Sequence, residues 1–329
     1  MTLVSVIIPA VRWDERLSRT VETILAQELP AETEIEIAIA LADGDVPPGV
    51  DPRVIAVANP GGSIPSGLNR ALNATTGDFV VRVDSRCELP SSYLTRMLAR
   101  LEEPTTGCVG AGTLVLDRGL FGSTYAIAFN GGLLGPSPYR YRRTSGEVDT
   151  AYLGAWRRET LLVVGGFDER MVRNQDNELA QRIRGHGMTV WYEADAVVGY
   201  WNDRDLKRAV IHHRDFGRWR MVQASQGQEA LTASQRKQVA VAGLGAAVFV
   251  AALSDARARR VAATIAGVGY LAAGAVATSY ATRIRRTRPD LADPEFHPAA
   301  PLLAPALAVI IDAAWAWGIL EPVLKRRSD

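Results

Sequence analysis

Gly77–Cys87 reads GDFVVRVDSRC. Gly77–Val83 is a β-branched run of strand length, and it runs directly into the acidic residue Asp84. The same pattern precedes it. Leu3–Ile8 (LVSVII) is a strand closed by Pro9, and Glu34–Leu41 (EIEIAIAL) is a strand ended by Ala42-Asp43-Gly44-Asp45. Arg53–Ala58 is a third, shorter run. Between and beyond these strands the period changes. Arg16–Gln27 carries Leu17, Val21, Ile24 and Leu25 at helical spacing, Ser66–Asn73 reads as a helix, and Ser91–Leu101 reads as a helix capped by Ser91 or Ser92. Strands alternating with helices predict βαβ units and an α/β fold with a mostly parallel, Rossmann-like sheet and flanking helices. Ligands of such sheets bind at the carboxyl ends of the strands. Pro9, Asp43 and Asp84 are expected at three of those ends.

The rest of the chain narrows the function. Its 329 residues carry 37 Lys+Arg and 36 Asp+Glu, a net charge of +1, which excludes a strongly basic nucleic-acid binder. Hydrophobic residues make up 47%, enough for a packed core. Two cysteines, Cys87 and Cys108, exclude a disulfide scaffold and a cysteine zinc cluster. No GxGxxG follows the first strand and no GxxxxGK[ST] occurs, so any phosphate is to be met by side chains or a metal.

The charge is unevenly spread. From Arg236 onward there are 12 Lys+Arg against 7 Asp+Glu, leaving that stretch at +5 and the first 235 residues at −4. Three apolar blocks lie in this basic third. Gln238–Leu253 and Val261–Ala281 contain no charge, and Leu302–Leu324 is broken only by Asp312 and Glu321. Val261–Ala281 has the length that crosses a bilayer, about 20 residues. A soluble core helix normally keeps a polar face, which this one lacks. A membrane-associated helical tail over 236–329, with two or three spans, is therefore expected. The competing reading is an Ala/Gly-rich bundle buried in a dimer. Met1–Ala10 has no basic leader, so the first 235 residues are expected on the cytoplasmic side of the cell inner membrane.

In order along the chain stand VSVIIPA, LADGD, GDFVVRVDSRC, GGFDE and NQDNELAQR. Over Val4–Trp219 this succession resembles the family 2 glycosyltransferases of GT-A fold. GLNRAL, DTAYLGAWRRE and the apolar C-terminus are similar to the succinoglycan-synthesis glucosyltransferases of the ExoA type. The resemblance implies a GT-A catalytic domain over 1–220. It implies inverting transfer of a sugar from a nucleoside-diphosphate donor, with a UDP-sugar favoured. The acceptor it implies is a lipid-linked saccharide in cell-envelope or exopolysaccharide synthesis. It assigns Pro9, Asp14 and Asp43 to the nucleotide, Asp84 to a metal and the donor, and Asp176 to the catalytic base.

The chemistry asks for such a base. An acceptor hydroxyl ionises far above neutrality, so its attack on the anomeric carbon needs a proton acceptor within hydrogen-bond reach. One carboxylate suffices, because the leaving diphosphate is stabilised by cations; a glycoside hydrolase needs two. Asp176 is expected to open a helix, Asp176–His186, whose dipole keeps a carboxylate ionised. The plainer reading is that Asp176 merely caps that helix. Glu178 and Arg182, four apart, read as an ordinary helical pair.

Two departures matter. The family's DxD is Asp84-Ser85-Arg86 here. Arginine is an always-charged donor and ligates no cation. Either Asp84 holds Mg2+ or Mn2+ together with donor phosphates and water, or Arg86 neutralises the diphosphate itself. A weakened or absent metal requirement is the consequence. Arg86 also keeps open a non-catalytic membrane-bound scaffold of a polysaccharide assembly as the alternative function. Further on, the QxxRW of processive relatives is Asp215-Phe216-Gly217-Arg218-Trp219. Arg218 is expected to contact the donor diphosphate and Trp219 the acceptor sugar, on an amphipathic interface helix near 204–222. A simple headgroup anchor is the competing role for Trp219.

Overall fold

The computed structural model describes residues 1–43, 45–134, 142–171, 173–202, 205–225, 256–287 and 296–325. The expected apolar block Gln238–Leu253 lies outside these residues. In chain order the elements are β1 (Thr2–Ala10), α1 (Glu15–Leu25), β2 (Thr33–Leu41), β3 (Val54–Ala58), α2 (Ile64–Asn73), β4 (Phe79–Arg82), β5 (Cys87–Glu88) and α3 (Tyr93–Leu101). Next come β6 (Thr106–Val115), α4 (Gly119–Asn130), β7 (Gly146–Glu147), β8 (Ala155–Arg157), α5 (Arg158–Val164), α6 (Gln175–Gly185) and β9 (Thr189–Tyr200). The last helices are α7 (Leu206–Ser225), α8 (Ala256–Thr287) and α9 (Ala300–Lys325).

The chain divides into two compact units, Met1–Leu114 with Pro138–Trp201, and Val115–Ser137 with Asn202–Asp329. This differs from the boundary expected near 220–236. The second unit also takes a stretch from within the first, because α4 is apolar on every side and shares a core with the C-terminal helices.

The first unit is a mixed, mostly parallel sheet in the order β3-β2-β1-β4-β8-β6-β9-β5, with β7 added on β9. β1 runs parallel to β2 and β4, and β2 parallel to β3; β8 is antiparallel to β4, and β5 antiparallel to β9. The pleat of β1 explains the layers. Val4, Val6 and Ile8 pack on one face with Leu17 and Ile24 of α1 and Met97 and Leu101 of α3. Ile7 packs on the other with Leu68 and Leu72 of α2. Each such side chain, fully buried, contributes roughly 1.5–3 kcal/mol. Helices therefore cover both faces, and the strand ends are left for chemistry.

α1 also ties down the segment after β4. Thr20 Oγ1 donates to Cys87 O at 2.9 Å and accepts from Cys87 N at 3.1 Å. Gln27 Nε2 donates to Pro90 O at 2.8 Å, and Leu94 N donates to Gln27 Oε1 at 2.9 Å.

The second unit is helical in its C-terminal part. Tyr125–Ala128 of α4, Ala209 of α7, Ala277 of α8 and Ala300, Ala304, Leu307 and Ile311 of α9 form its core. The expected interface helix near 204–222 is α7, but it is not simply a surface helix. Ala209, Gly217 and Arg220 are buried along it. A Cβ on Gly217 would collide with the Trp315 carbonyl, and one on Gly318 with the Arg214 carbonyl. The α7 and α9 backbones therefore touch at that crossing. Among the described residues two helices are long and apolar enough to cross a membrane, Arg259–Arg283 in α8 and Ala300–Pro322 in α9. They correspond to the expected Val261–Ala281 and Leu302–Leu324 blocks. Only 12% of the first is buried against 33% of the second. Val261, Val268, Leu271 and Val276 are exposed on α8, as are Leu302, Val309, Trp317 and Leu320 on α9.

Candidate active site

The parallel half of the sheet presents its carboxyl ends together. β1 does not stop at Pro9 as expected but runs through it to Ala10, opposite Leu41 of β2. Proline has no N–H to give a ladder. Here none is missed: pairing with β4 ends at Ile7↔Arg82, and Val83 N closes it on Ile7 O at 3.1 Å. Ala42 N and Asp43 N both donate to Val11 O at 3.1 Å. Asp43 is therefore an exposed rim residue, beside the start of the loop into α1. Asp14 ends that loop as the N-cap of α1, its Oδ1 accepting from Leu17 N at 2.9 Å. The Asp14 carboxylate is thus engaged in capping, a role the sequence alone did not suggest for it.

Asp84 stands just past β4, and a residue that the sequence motifs do not single out sits beneath it. Arg82 is 4% exposed, and its Nε and Nη2 donate to Asp84 Oδ1 at 3.1 and 2.9 Å. The other carboxylate oxygen, Oδ2, accepts from the Tyr152 hydroxyl. Tyr152 comes from the DTAYLGAW stretch, 68 residues away. Burial by itself would lower the Arg82 pKa, but the charges of Asp84, then Tyr152 and Asp176, outweigh it and hold the guanidinium on. Burial first, and the Asp84 charge second, push the Tyr152 phenol well up. The tyrosine therefore stays a donor. The signal for Arg82 was present: a cation inside the run FVVRV has no reason to be there unless a carboxylate meets it.

The turn after Asp84 is pinned as well. Trp201 N donates to Arg86 O at 3.0 Å, Trp201 Nε1 donates to Glu88 Oε1 at 2.6 Å, and the Arg16 guanidinium lies 3.9 Å over the Trp201 ring. The Arg86 side chain is half-buried at this end of the sheet.

Asp176 arrives from α6. The helix begins one residue earlier than expected, and its N-cap is Asn174, in the left-handed region at φ 59°. Asn174 O accepts from Glu178 N at 3.0 Å. Asp176 is therefore not the N-cap residue, because residue 175 is already helical, but its carboxylate still takes up a first-turn N–H. Its Oδ1 accepts from Asn177 N at 2.9 Å, and it is half-buried between buried Gln175 and Asn177. The Asp176 charge acts on Arg82, and on Cys108, whose thiol is pushed up by burial first and by Asp176 second. Asp84 is thus paired with buried Arg82 at the carboxyl end of β4, and the Asp176 charge acts on the same guanidinium.

Arg218 and Trp219 belong to α7 in the second unit, where Arg218 is exposed and Trp219 half-buried. Asp215, at the position of the glutamine, lies 3.6 Å from Arg214.

The side chains of this turn do not complete a metal site by themselves: beside Asp84, donor phosphates and water would have to supply the other ligands. Asp84 is the one carboxylate of its turn, and both its oxygens accept bonds from neighbouring donors. Arg86 occupies the second ligand position. Among the described residues no three His, Cys, Asp or Glu side chains are gathered to hold an ion.

A mostly parallel sheet with helices on both faces and its strand ends open to a ligand is an architecture that GT-A glycosyltransferases share. The model of Glycosyl transferase family 21 matches residues 48–328, so the chain belongs to glycosyl transferase family 21. That is the glycosyltransferase class the sequence resemblance pointed to, under a different family number. Among solved structures, the mannosyltransferase PcManGT from Pyrobaculum calidifontis, in complex with GDP-Man and Mn2+, is 18% identical. It aligns over 95% of this chain and 87% of its own, with a TM-score of 0.52. At that identity the likeness is one of fold. TarS of S. aureus, residues 1–349 in complex with UDP-GlcNAc, is 15% identical over 66% of each chain, with a TM-score of 0.46. No curated protein matches the chain.

Proposed function

We propose that this glycosyltransferase moves a sugar, with inversion, from a nucleoside-diphosphate donor to a lipid-linked saccharide acceptor at the inner membrane. The donor favoured is a UDP-sugar, and the setting is cell-envelope or exopolysaccharide synthesis of the kind the ExoA-type resemblance implies. The observation that carries the reading is Asp84 at the carboxyl end of β4, its carboxylate held by buried Arg82 and by Tyr152, with the Asp176 charge near enough to act on the same guanidinium. It supports one pocket for both carboxylates, with Asp43 on the same end of the sheet. In that pocket Asp176 takes the proton of the acceptor hydroxyl as the new oxygen–carbon bond forms. The bond from the anomeric carbon to the diphosphate breaks, and its electron pair leaves with the phosphate. Arg86 meets that developing charge as a guanidinium clamp. Asp84, held by Arg82 and Tyr152, orients the donor. No step needs a protein-held metal, and a weak metal requirement is the corollary.

The apolar lengths of α8 and α9 favour membrane attachment, with the first unit on the cytoplasmic side. An acceptor confined to the bilayer meets a tethered enzyme far more often than a free one.

The test is Asp176→Asn. Loss of the base is expected to lower turnover by about 1,000-fold, within the usual range for general base catalysis. Donor binding, read as the shift in unfolding temperature with UDP- and GDP-sugars, should stay within twofold. Near-normal turnover would remove Asp176 as base. Transfer in excess EDTA is expected to persist; complete loss, restored by Mn2+, would overturn the metal-light reading.

A further inference from the structure

The pair read from sequence as ordinary is not. Glu178 is 4% exposed and Arg182 27%. Arg182 Nε and Nη2 donate to the two Glu178 oxygens, each at 2.6 Å. The same guanidinium donates to Gly166 O at 2.9 Å and to Val164 O. Those carbonyls converge because Gly165 and Gly166 both take positive φ, +83° and +69°, a conformation open to glycine without strain. The loop they begin is fixed from its other side. Asn69 of α2 donates through Nδ2 to Phe167 O at 2.8 Å and accepts through Oδ1 from Phe167 N at 2.9 Å. Phe167 itself is 2% exposed, edge-on to Trp156 at 5.7 Å between centroids.

A helical ion pair on a surface is worth a few tenths of a kcal/mol and holds nothing but itself. This one spends its planar fork on a loop outside its own helix. The result is a continuous connection from α2 through Phe167 and Gly166 to Arg182 and Glu178. Glu178 stands two residues from Asp176 in the same first turn. At the helix start, Asn174 fixes the backbone in the left-handed region. α6 is therefore held against sliding and rotation at the turn that carries the carboxylate.

We infer that Arg182 is a positioning residue for the reaction: through Glu178 and the Val164 and Gly166 carbonyls it sets where Asp176 stands. This rests on the reading of Asp176 as the base. A lysine keeps the charge but cannot form the fork. A displacement of about 1 Å at a reacting group costs on the order of 100-fold in rate.

The experiment uses the full chain and whichever of UDP-glucose, UDP-GlcNAc or GDP-mannose shifts its unfolding temperature most. Donor turnover is measured per folded protein for Arg182→Lys, Glu178→Asp, Arg182→Ala with added guanidinium ion, Asp176→Asn, and Arg170→Ala as control. The control removes an exposed guanidinium that pairs with the largely buried Asp168 in the same loop. Arg182→Lys and Glu178→Asp should lower kcat by 10- to 100-fold with the donor KM within twofold. Guanidinium should restore part of the Arg182→Ala loss, and Arg170→Ala should match the parent. Wild-type kcat per folded molecule in both Arg182→Lys and Glu178→Asp, with Asp176→Asn inactive, overturns the inference and leaves the base reading intact. Equal loss in KM and kcat, or activity lost only in step with the folded fraction, also overturns it. An active Asp176→Asn refutes the base reading itself, and the inference with it.

Discussion

The two ends of β1, β2 and β4 each hold an arginine and a carboxylate, and they use them differently. At the amino end, Glu36 Oε1 accepts from Ser5 Oγ at 2.7 Å, Thr76 N at 2.6 Å and Gly77 N at 2.9 Å. Arg158 donates to Gly77 O at 2.6 Å, Leu72 O at 3.1 Å, Ser5 Oγ at 2.9 Å and Thr75 Oγ1 at 3.1 Å. Backbone and hydroxyl groups take up both charges, and the cluster closes the layers around the start of β4. At the carboxyl end, Arg82 directs two donors at a single oxygen of Asp84, and a second carboxylate, Asp176, acts on it through its charge. A closed set of bonds holds a fold together. At the carboxyl end, by contrast, Asp84 and Asp176 are only half-buried, which leaves them surface that a ligand can meet.

Three substitutions sharpen or break that contrast. Arg82→Met should cost the most. It strands Asp84 beside a buried apolar side chain, which costs ~3 kcal/mol, the low end for breaking a buried pair because Asp84 remains 22% exposed. Donor turnover per folded molecule should fall by more than about 100-fold, since the field at Asp84 and Asp176 changes together. A variant that is destabilised yet fully active would place Arg82 with Arg158, as structure only. Tyr152→Phe should have a middling effect. It frees Asp84 Oδ2, and a loss of about tenfold in turnover is expected for one charge-assisted bond. Electron paramagnetic resonance of added Mn2+ then reads whether the freed oxygen takes a metal that the parent binds weakly. Arg158→Met should leave turnover within about twofold while lowering stability by about 3 kcal/mol, read from urea unfolding, because several acceptors lose their donor at once. A turnover loss as large as that of Arg82→Met would dissolve the distinction between the two ends.

Much of the first unit could be read beforehand, for a physical reason. The β-branched runs and the Leu17/Val21/Ile24 spacing are local, and so are the strands and helices they specify. Asp43, Asp84 and Asp176 stood out in the sequence because each lies at the edge of such an element. What escaped was pairing across the chain. Tyr152 meets Asp84 over 68 residues and Asn69 meets Phe167 over 98. No period encodes such contacts. Arg82 was visible as an anomaly within a strand, and its partner Asp84 stands only two residues on. Asp14 and Asp176 exchanged expectations for a similar reason. Either could have been an N-cap residue, and only the backbone at Asn174 decides that Asp176 is not. The division of the second unit was hidden too, because the all-apolar α4 gives no hint of which helices it joins.

The close crossing at Gly217 and Gly318 bears on how the second unit behaves mechanically. Helices kept apart by long side chains can roll over one another as rotamers change. Where main chain meets main chain there is no such bearing, and even one methyl group at either glycine would wedge the crossing open. α7 and α9 therefore move as one lever. Arg218 and Trp219 ride on it without slack, and any tilt or vertical shift of α9 reaches them at full amplitude.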